Sequence, residues 1–423
     1  MKHVAILGAG VIGVACAHYL RRAGYEVTLI DKGRLGGACS HGNCGYVCPS
    51  HVLPHAGPGA VKMVLRTLFQ RNSPLSVKPR LDWNLFDWML RFARKCDHTS
   101  MIRAGQALHR LLGASRRLYD ELLADFDADW QTQGLLFVFH TKQAFDHYHE
   151  VDALMRREFG VGATPYPTGE LQQLEPALRA EVAGAYHYPC DAQLRPDRLL
   201  SEWKKRLLAD GVTIRENVLF TGFARSASRL VAARTEQGDI PADAFVVATG
   251  AWTPLLADEL RVRIPIQPGK GYSVTMPRSA STQGVDTPRS PNPIPRFPLI
   301  FEEHRVAVSP FADGYRIGST MQFNGYDEST DPARVQLLLD SARLYLHDPC
   351  KGPIEETWWG WRPMVPDGVP VIGPAGPNLW LATGHGMLGL SLATGTGRLV
   401  AEMIAGVATH VDPTPYRVQR FTT

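Results

Sequence analysis

The chain has 423 residues, of which 44% are hydrophobic and 20% charged, an ordinary globular composition with material for about two domains. A formal net charge of +4 is too small to indicate a nucleic-acid-binding protein. The seven cysteines have no regular spacing, no secretory signal precedes the first predicted strand, and no apolar run is long enough to span a bilayer. We therefore expect a reducing, cytoplasmic setting.

The N-terminal residues follow the order strand, glycine-rich turn, helix, strand and acidic residue. The turn contains Gly8, Gly10 and Gly13, and the acidic residue is Asp31. This order and spacing are typical of a dinucleotide-binding βαβ unit. We expect Gly8 to permit the tight turn, Gly10 to let the backbone approach a pyrophosphate, and Gly13 to let helix and strand pack closely. Asp31 would accept hydrogen bonds from a ribose diol.

Residues 37–51 contain three cysteines, Cys39, Cys44 and Cys48, which raises the alternative of an iron–sulfur or zinc site. The spacing lacks a nearby fourth ligand, and Cys16 falls within the nucleotide helix. We therefore predict no metal site here and interpret the cysteines as small, partly buried side chains. His51 either faces a substrate or caps a turn.

Residues 61–95 hold eight lysines and arginines but only two aspartates, a net charge of +6. Leu85, Trp88, Met89 and Phe92 fall on one face of a predicted helix. Such a basic, amphipathic segment could rest on an anionic membrane surface near a quinone pool. The alternative is a helix that packs its apolar face on its own domain.

Two later segments bear on which nucleotide is bound. Residues 211–223 predict a pair of strands, and residues 242–252 predict a parallel strand that ends in Ala-Thr-Gly and returns to the cofactor at Thr249 and Gly250. No second glycine fingerprint follows, as a flavoenzyme reduced by NAD(P)H would normally need. One nucleotide site with a late returning strand favours FAD.

The chain resembles the FAD-dependent amine oxidoreductases of the D-amino-acid oxidase superfamily. It is most similar to bacterial D-amino-acid dehydrogenases and more distantly to glycine and sarcosine oxidases. The resemblance covers the N-terminal βαβ unit with its following loop, residues 265–276, residues 304–327, and a C-terminal block from 358 onward. The last block is the most specific, with an Arg-Pro-x-x-Pro-Asp run, an apolar strand, and Thr-Gly-His-Gly leading into a helix.

The resemblance implies an α/β FAD-binding Rossmann-like domain and an α+β substrate domain with an antiparallel sheet. The implied FAD-binding domain is discontinuous, and so is the substrate-binding domain. Their predicted ranges are 1–80, 185–265 and 355–423 for the first, and 81–184 and 266–354 for the second.

The resemblance also implies a reaction. It is the oxidative deamination of D-amino acids, or of cyclic imino acids such as D-proline derivatives, by hydride transfer from Cα to flavin N5. The product is an imino acid or 2-oxo acid. A glycine- or sarcosine-type oxidase that uses O₂ and a non-catalytic flavoprotein subunit stay as alternatives. The expected partners are an amino acid and a quinone or other electron acceptor, peripheral membrane contact is left open, and the oligomeric state is not predicted.

In similar enzymes the loop after the ribose-binding acid runs over the cofactor with a Thr-Ser-x-x-Asn-x-Gly pattern. Here Cys39, Ser40, Asn43 and Gly45 occupy that pattern. By resemblance, Ser40 and Asn43 would bind phosphate or flavin, and Gly42 and Gly45 would let the backbone approach the ring.

The resemblance also bears on the attachment and the far contacts of FAD. Sarcosine oxidases attach flavin to a cysteine at the position of Gly360, whereas the nearest cysteine here is Cys350, so we expect non-covalent FAD. The backbone of Val218 matches an adenine contact. The predicted cofactor-binding residues are Gly8, Ala9, Gly10, Val11, Ile12, Gly13, Asp31, Lys32, Ser40, Asn43, Gly45, Val218, Thr249, Gly250, Gly384, Gly386, Met387, Leu388 and Gly389.

Four residues are predicted catalytic by resemblance. Arg362 would clamp the substrate carboxylate, since a guanidinium binds a carboxylate bidentately. The alternative is a structural ion pair with a carboxylate such as Asp367. Tyr272 or Tyr315 would add a hydroxyl to the carboxylate, or either could pack in the core. His385 would lie near the flavin, or be structural.

The turn at 383–389 would aim the N-terminus of the helix at about 390–404 toward the pyrimidine end of the flavin. Glycine-oxidase-like relatives have a second carboxylate-binding arginine near here, whereas this chain has Met387. That difference indicates a more apolar pocket.

Overall fold

The computed structural model describes residues 2–67, 73–78, 80–277, 294–349 and 353–421. The helices are α1 Val11–Arg22, α2 Ala60–Thr67, α3 Trp83–Lys95, α4 His98–Leu122, α5 Lys142–Phe159, α6 Thr168–Leu174, α7 Pro196–Ala209, α8 Ala257–Leu260, α9 Pro332–Tyr345 and α10 Gly389–Ala405. The strands are β1 His3–Leu7, β2 Glu26–Ile30, β3 Tyr46–Val47, β4 Leu75–Val77, β5 Leu135–Phe139, β6 Thr164–Pro167, β7 Gly184–Tyr188, β8 Ala192–Gln193, β9 Thr213–Arg215, β10 Phe220–Ser226, β11 Arg229–Thr235, β12 Ile240–Pro241, β13 Ala244–Val247, β14 Gln267–Pro277, β15 Leu299–Phe301, β16 Val306–Phe311, β17 Gly314–Phe323, β18 Glu356–Met364, β19 Val371–Gly376 and β20 Leu379–Thr383.

The nucleotide end of the chain forms a six-stranded sheet in the order β19-β20-β13-β1-β2-β9. β1 pairs in parallel with both β2 and β13, which confirms the predicted βαβ unit and the predicted returning strand. The strands of such a sheet are buried on both faces, which explains their continuous apolar runs. The predicted pairing within 211–223 is wrong: β9 pairs in parallel with β2, and β10 starts a separate three-stranded sheet with β11 and β12.

The other large sheet has nine strands in the described part of the chain, in the order β18-β14-β17-β16-β15-β5-β7-β6, with β4 on β17. Most of its pairs are antiparallel, and α9 packs on one face over a core of side chains from β14 and β17. This arrangement confirms the predicted fold class. β4, β7 and β18 lie in this sheet, although the predicted ranges assign them to the FAD-binding domain; the domain division stays a prediction.

The loop after β2 is fastened to the large sheet by buried polar contacts. The buried guanidinium of Arg316 on β17 donates to the carbonyl oxygens of His41 and Asn43, at 2.9 and 2.8 Å. Ser273 on β14 donates to the Gly42 carbonyl at 2.9 Å. The loop therefore passes between the nucleotide end and the large sheet, where a cofactor that touches both would lie.

Helix α3 has apolar side chains on two sides. The predicted face packs inward: Leu85 and Trp88 are buried, and Trp88 donates to the Met364 carbonyl at 2.9 Å. On the other side, Trp83 and Phe86 are 85% and 61% exposed. Within the residues that the structure describes, no helix combines the length and the apolarity that a membrane crossing requires.

Candidate active site

The glycine turn at the end of β1 has the geometry that its sequence predicts. Gly8 has φ +102° and its carbonyl lies against Gly13, where an added Cβ would come within 1.8 Å of that oxygen. Gly10 precedes α1, and the first turn of α1 carries no acidic side chain. The first turn of α1 thus adds no negative charge of its own to the helix N-terminus, which suits a pyrophosphate.

The side chains around this turn are held in fixed positions. Asp31 accepts hydrogen bonds from the amides of Ala9 and Gly33, at 2.7 and 2.8 Å, which orients its carboxylate at the end of β2. The Ser40 hydroxyl accepts from the Val11 amide at 3.0 Å, so the loop reaches the helix N-terminus. This cradle fits the diphosphate and ribose of a dinucleotide.

The remaining predicted nucleotide contacts lie at the ends of neighbouring strands. Thr249 and Gly250 follow β13 directly beside Gly8, where the added Cβ would be 3.1 Å from Thr249 Cα. The ammonium of Lys32 lies 4.3 Å from the centre of the Trp252 ring. The Val218 amide donates to the Asp31 carbonyl at 2.8 Å. A backbone contact of Val218 with adenine would therefore be made by the Val218 carbonyl.

The loop at 39–45 departs from the expectation at Gly45. Gly45 has φ +82°, and a Cβ there would lie 1.8 Å from the Leu194 carbonyl. It is glycine because the protein backbone, and not a cofactor ring, approaches it. Asn43 accepts from the Gly45 amide at 2.7 Å, which closes the turn. At Gly42 the neighbour is the ring of Trp358, 2.1 Å from an added Cβ.

Arg362 lies on the face of β18 that is turned toward this loop. Its guanidinium sits over Gly271 on β14, where a Cβ would be 2.5 Å from Cζ. It donates to the Thr320 carbonyl at 2.5 Å. Burial lowers its pKa from the usual value, while the nearby Cys39 and Cys44 act in the opposite direction. An anionic partner would offset the partial desolvation of this half-buried guanidinium.

No carboxylate in the described part of the chain pairs with Arg362. The alternative partner, Asp367, pairs instead with Arg420, whose Nε and Nη2 lie 2.8 and 3.3 Å from its two oxygens. The structural ion pair with Asp367 is therefore ruled out, and the role of Arg362 as a carboxylate clamp stays a prediction.

The backbone that anchors Arg362 is strained. The register of β17 shifts opposite residues 270–272 of β14, and within that irregularity Ser319 has φ +128° and Thr320 φ +58°. A β-branched residue at positive φ is a rare and costly conformation. Here it directs the Thr320 carbonyl at the Arg362 guanidinium, so the strained backbone helps to position that side chain.

Neither predicted tyrosine is on the same face of the sheet as Arg362. Arg362 and its cross-strand partner Gly269 point to the same face of the sheet. Tyr272 lies three residues after Gly269 on β14, so its side chain projects to the opposite face. Tyr315 pairs with Met276, seven residues or roughly 23 Å along β14 from Gly269. Both side chains belong to the core under α9.

The hydroxyls of these tyrosines have partners of their own. Tyr272 donates to Gln322 Oε1 at 3.0 Å, and Tyr315 donates to the Pro349 carbonyl. Both hydroxyls lie on the face opposite Arg362, in agreement with the alternative of core packing, and a contact of either with the substrate stays a prediction.

The glycine-flanked turn before α10 matches its predicted course. A short 3₁₀ segment, Gly386–Leu388, leads into α10, which starts at Gly389, and Gly384 and Gly386 have φ +74° and +55°. The ring of His385 is buried and its Nε2 lies 3.0 Å from the Thr396 hydroxyl. Burial lowers its pKa to about 3, so His385 is a neutral residue that ties the turn to α10.

Two features of the site, a small cavity and His55, were not among the predicted residues. A small cavity beside Met364 is lined by the loop at 51–55 and the turn at 385–388. His55 on that loop is exposed, yet burial is the largest cause that lowers its pKa to about 4, and the charge of Arg362 contributes. His55 also lines this cavity. Neither spacing nor composition could single out His55, because it becomes significant only when β18 is placed beside it.

The cysteines of the loop do not share one site. Burial raises the pKa of Cys39 to about 11 and also raises that of Cys44, so both are neutral thiols. Donor atoms of Cys48, His51 and Asp191 lie within 4.8 Å of one another, a grouping that could hold a metal ion. However, Asp191 already accepts from the amide and the hydroxyl of Ser50, at 3.0 and 2.5 Å, which accounts for its burial without an ion. The prediction of no metal stays a prediction.

Comparison with known proteins agrees with this geometry. Residues 3–403 match the family model described as "DAO: FAD dependent oxidoreductase". Curated proteins named D-amino acid dehydrogenase are similar along the whole chain: that of Paramagnetospirillum magneticum is 35% identical, and that of Granulibacter bethesdensis 32%, each with 99% of both chains covered.

Solved structures share the fold at lower identity. Glycine oxidase from Geobacillus kaustophilus superposes with a TM-score of 0.78 at 23% identity, covering 99% of both chains. L-proline dehydrogenase from P. horikoshii superposes with a TM-score of 0.73 at 20% identity, covering 100% of this chain and 98% of that one.

Proposed function

Because this chain belongs to the DAO family of FAD-dependent oxidoreductases, we propose that it is a D-amino acid dehydrogenase. Its substrates are D-amino acids or cyclic imino acids such as D-proline derivatives, and its product is an imino acid or 2-oxo acid. The similar curated proteins support the D-amino acid as substrate class. The observation that carries the proposal is Arg362, a half-buried guanidinium without a carboxylate partner among the described residues.

Arg362 would bind the substrate carboxylate. A buried cation costs several kcal/mol unless an anion compensates it, and the Thr320 carbonyl offers only a partial charge. A bidentate carboxylate supplies the full charge and also fixes the direction of the substrate Cα. Gly271 leaves room for the Arg362 guanidinium, since an added Cβ there would lie 2.5 Å from Cζ.

FAD would be held without a covalent bond by the turn at 8–13, Asp31, Ser40, and the turn before α10. When bound, FAD supplies the two-electron acceptor for the substrate Cα–H. The chain's own groups near Arg362 are neutral: His55 and His385 have pKa values lowered to about 4 and 3, and Cys39 has a pKa raised to about 11. They contribute shape and hydrogen bonds and hold no charge that would compete with the substrate carboxylate.

We also propose that this enzyme contacts a membrane surface through α2, Leu81 and α3. Of the fifteen large apolar residues that are exposed in the described ranges, seven lie between 61 and 90. Trp83 and Leu81 are the most exposed of these, at 85% and 109%. Lys62, Arg66, Arg94 and Lys95 are exposed among them, so apolar and basic groups occur together.

The position of α3 supports a membrane electron acceptor such as a quinone. On its inner face, Trp88 donates to the Met364 carbonyl, and Met364 lines the cavity between the loop at 51–55 and the turn at 385–388. The outer face of the same helix carries Trp83 and Phe86. An acceptor dissolved in the membrane would therefore meet the enzyme one helix away from the substrate cavity.

The function is tested by anaerobic titration of the FAD-loaded protein with D-amino acids, D-proline, glycine and sarcosine, while the flavin absorbance is followed. We expect D-amino acids or D-proline to bleach the flavin. We also expect the reduced flavin to be reoxidised slowly by O₂ and quickly by a quinone analogue. Bleaching by glycine or sarcosine with fast reoxidation by O₂ would indicate the oxidase. No bleaching by any amino acid would indicate a non-catalytic flavoprotein.

The membrane contact is tested by co-sedimentation with vesicles of phosphatidylglycerol and phosphatidylcholine. Binding should fall when Trp83 and Phe86 are both replaced by serine, and it should fall with added salt. Leu208→Ser is the matched control, because Leu208 is 52% exposed on α7, away from the basic segment. Equal binding by the control and the double variant would contradict the proposal.

A further inference from the structure

A cavity of about 660 Å³ lies where the C-terminal ends of three helices meet. Its walls are formed by the last turns of α1 and α7 and by the end of α4 with the residues that follow it. A volume of this size is typical of sites for small molecules. The predicted FAD cradle lies at the other end of α1, about 18 Å away along the helix. The cavity is therefore distinct from the candidate active site.

The charged groups that line the cavity balance each other. Burial is the largest cause that lowers the pKa of His18 in its wall to about 4, so this ring adds no charge at neutral pH. The other titratable groups are three arginines and three carboxylates: Arg21, Arg22, Arg206, Glu121, Asp125 and Asp210. A ligand with a large net charge of either sign is therefore disfavoured.

Two of the arginines are already held by the protein. Arg206 Nε donates to Asp210 Oδ2 at 3.1 Å. Arg21 donates from Nε to the Asp210 carbonyl at 2.5 Å and from Nη1 to the Tyr25 carbonyl at 3.3 Å. Because Arg21 is on α1 and Asp210 directly follows α7, these bonds join the two helix ends and give the cavity one fixed wall.

Three charged side chains of the cavity are unpaired in the ranges that the structure describes. Arg22 on α1, Glu121 on α4 and Asp125 just after α4 make no ion pair and no side-chain hydrogen bond there, and all three are exposed. The cation and the two carboxylates thus lie on different walls, with their charged atoms more than 4.0 Å apart. A ligand that carries both an anionic and a cationic group can bridge them.

The wall formed by α4 favours an ammonium group and apolar contacts. The C-terminal end of a helix carries a partial negative charge, which attracts a cation. Helix α4 ends at Leu122, so its C-terminus adds to the charges of Glu121 and Asp125. Leu122 and Phe126 also line the cavity and offer apolar surface to the rest of a ligand.

The floor of the cavity contains a polar side chain without a partner. His18 is 5% exposed, and its ring makes T-shaped contacts with Tyr19 and Trp203 at 5.0 and 5.8 Å. Neither ring nitrogen has a hydrogen-bond partner among the described residues. Buried polar atoms that lack a protein partner are generally satisfied by water or by a ligand. His18 therefore supports, independently of the charges, a cavity that is occupied.

We propose that this cavity binds an amino acid zwitterion with a large apolar side chain, at a second site separate from the candidate active site. Arg22 would bind the carboxylate, Glu121 and Asp125 the ammonium, and Phe126 the side chain. An inorganic anion would leave the two carboxylates without a partner, and a metal cation would leave Arg22 without one. The proposal does not depend on the proposed function, because the cavity shares no residue with the candidate active site.

The test measures the binding of L-phenylalanine to the FAD-loaded Arg362→Ala protein by isothermal titration calorimetry. The L-isomer and the Arg362→Ala change both keep the probe away from the candidate active site. Two further probes each lack one charge: phenethylamine has no carboxylate, and 3-phenylpropionate has no ammonium. We expect each to bind about fivefold more weakly than L-phenylalanine, because each loses one exposed ion pair.

Variants assign each charge of the probe to its partner. Arg22→Gln should weaken the binding of L-phenylalanine about fivefold and leave that of phenethylamine unchanged, because the amine has no carboxylate. The double variant Glu121→Gln/Asp125→Asn should weaken the binding of L-phenylalanine at least as much and leave that of 3-phenylpropionate unchanged. Arg103→Gln is the matched control: it removes an exposed arginine about 27 Å along α4 from Glu121 and should change none of these affinities. Flavin content and thermal unfolding of each variant check the fold.

The outcomes are separate from those of the proposed function. If L-phenylalanine does not bind at millimolar concentrations, or binds equally well to Arg22→Gln, to the double variant and to the control, the proposal is wrong. Equal affinities for L-phenylalanine and for both singly charged probes would also overturn it. If no amino acid bleaches the wild-type flavin but the expected pattern of affinities is found, the proposed function fails and the second site stands.

Discussion

The glycine turn at 8–13 and the strand end at Arg362 belong to one candidate site but are built in different ways. At the turn the chain offers backbone groups. Gly8 and Gly13 are so close that a Cβ on Gly13 would lie 1.8 Å from the Gly8 carbonyl oxygen. At the strand end it offers a side chain, the guanidinium of Arg362, which is anchored by a single carbonyl. A site of the first kind is damaged by added atoms, and one of the second kind by removed charge.

The largest effect should come from removing that charge. Arg362→Ala should raise the substrate Kd by about 30- to 4,000-fold, because the carboxylate then enters a desolvated place with no cation. FAD should stay bound, because Arg362 is not part of the nucleotide cradle. The measurements are flavin absorbance after gel filtration and anaerobic bleaching titrations.

Arg362→Lys sharpens the same test. Lysine keeps the charge but loses the planar pair of donors, so its Kd should lie between those of the wild type and the alanine variant. Loss of the yellow colour in Arg362→Ala would contradict the division of the site, since the guanidinium would then support the cofactor.

The opposite change should act at the turn. Gly10→Val should weaken FAD binding by about 10- to 100-fold, because the valine side chain would stand before the N-terminus of α1 where phosphate is expected. The apo protein should still fold: Gly10 has φ −70°, and an added Cβ would be 3.5 Å from Ser40 Oγ, an ordinary contact. FAD titration by fluorescence quenching measures the affinity, and circular dichroism checks the fold.

Gly13→Ala provides the contrast. Its Cβ would meet the Gly8 carbonyl at 1.8 Å, so this variant should lose stability as well as FAD. If Gly10→Val binds FAD as tightly as the wild type, the pyrophosphate does not lie at this turn.

The same difference explains how much could be predicted from the sequence. Backbone-built features leave glycines at fixed spacing, so the βαβ unit, the returning strand and the start of α10 were predicted correctly. Side-chain-built features depend on strand register. Tyr272 and Arg362 are both on strands of one sheet, but their faces are decided by the pairing of Gly269 with Arg362, which the sequence does not contain.

Partners that are far apart in the chain were missed for a related reason. Asp367 lies five residues after Arg362, yet its partner is Arg420, 53 residues away. His55 gains its position from the contact of Pro54 with Gly368. These contacts arise from tertiary packing, and no local pattern in the sequence signals them.

A medium effect should appear in the pH dependence of stability. In the unfolded chain a histidine has a pKa near 6.5, whereas burial lowers that of His385 to about 3. Between these values the unfolded state binds a proton that the folded state does not. His385 therefore destabilises the fold as pH falls through this range, by about 2 kcal/mol at pH 5, and has no such effect above pH 7.

His385→Gln removes this titration and keeps a polar group near Thr396. The gap in unfolding free energy between the wild type and the variant, measured with urea at fixed excess FAD, should change by about 2 kcal/mol in favour of the variant from pH 8 to pH 5. An unchanged difference in unfolding free energy would mean that His385 is accessible to protons in the folded state. His385 would then be assigned to the substrate pocket and not to the structural support of the turn.

The smallest effect on substrate binding should come from replacing the tyrosines. This test decides whether Tyr272 and Tyr315 lie on the face of the sheet opposite Arg362. Tyr272→Phe should change the substrate Kd by no more than about twofold, since its hydroxyl donates to Gln322 behind the sheet. Tyr315→Phe should leave the Kd equally unaffected but lower the free energy of unfolding by about 1 to 3 kcal/mol, because the buried Pro349 carbonyl loses its donor. A tenfold rise in Kd for Tyr272→Phe alone, at unchanged stability, would place that hydroxyl on the substrate. The face assigned from the pairing of β14 with β18 would then be wrong, and Arg362 would have to share its carboxylate with a second group.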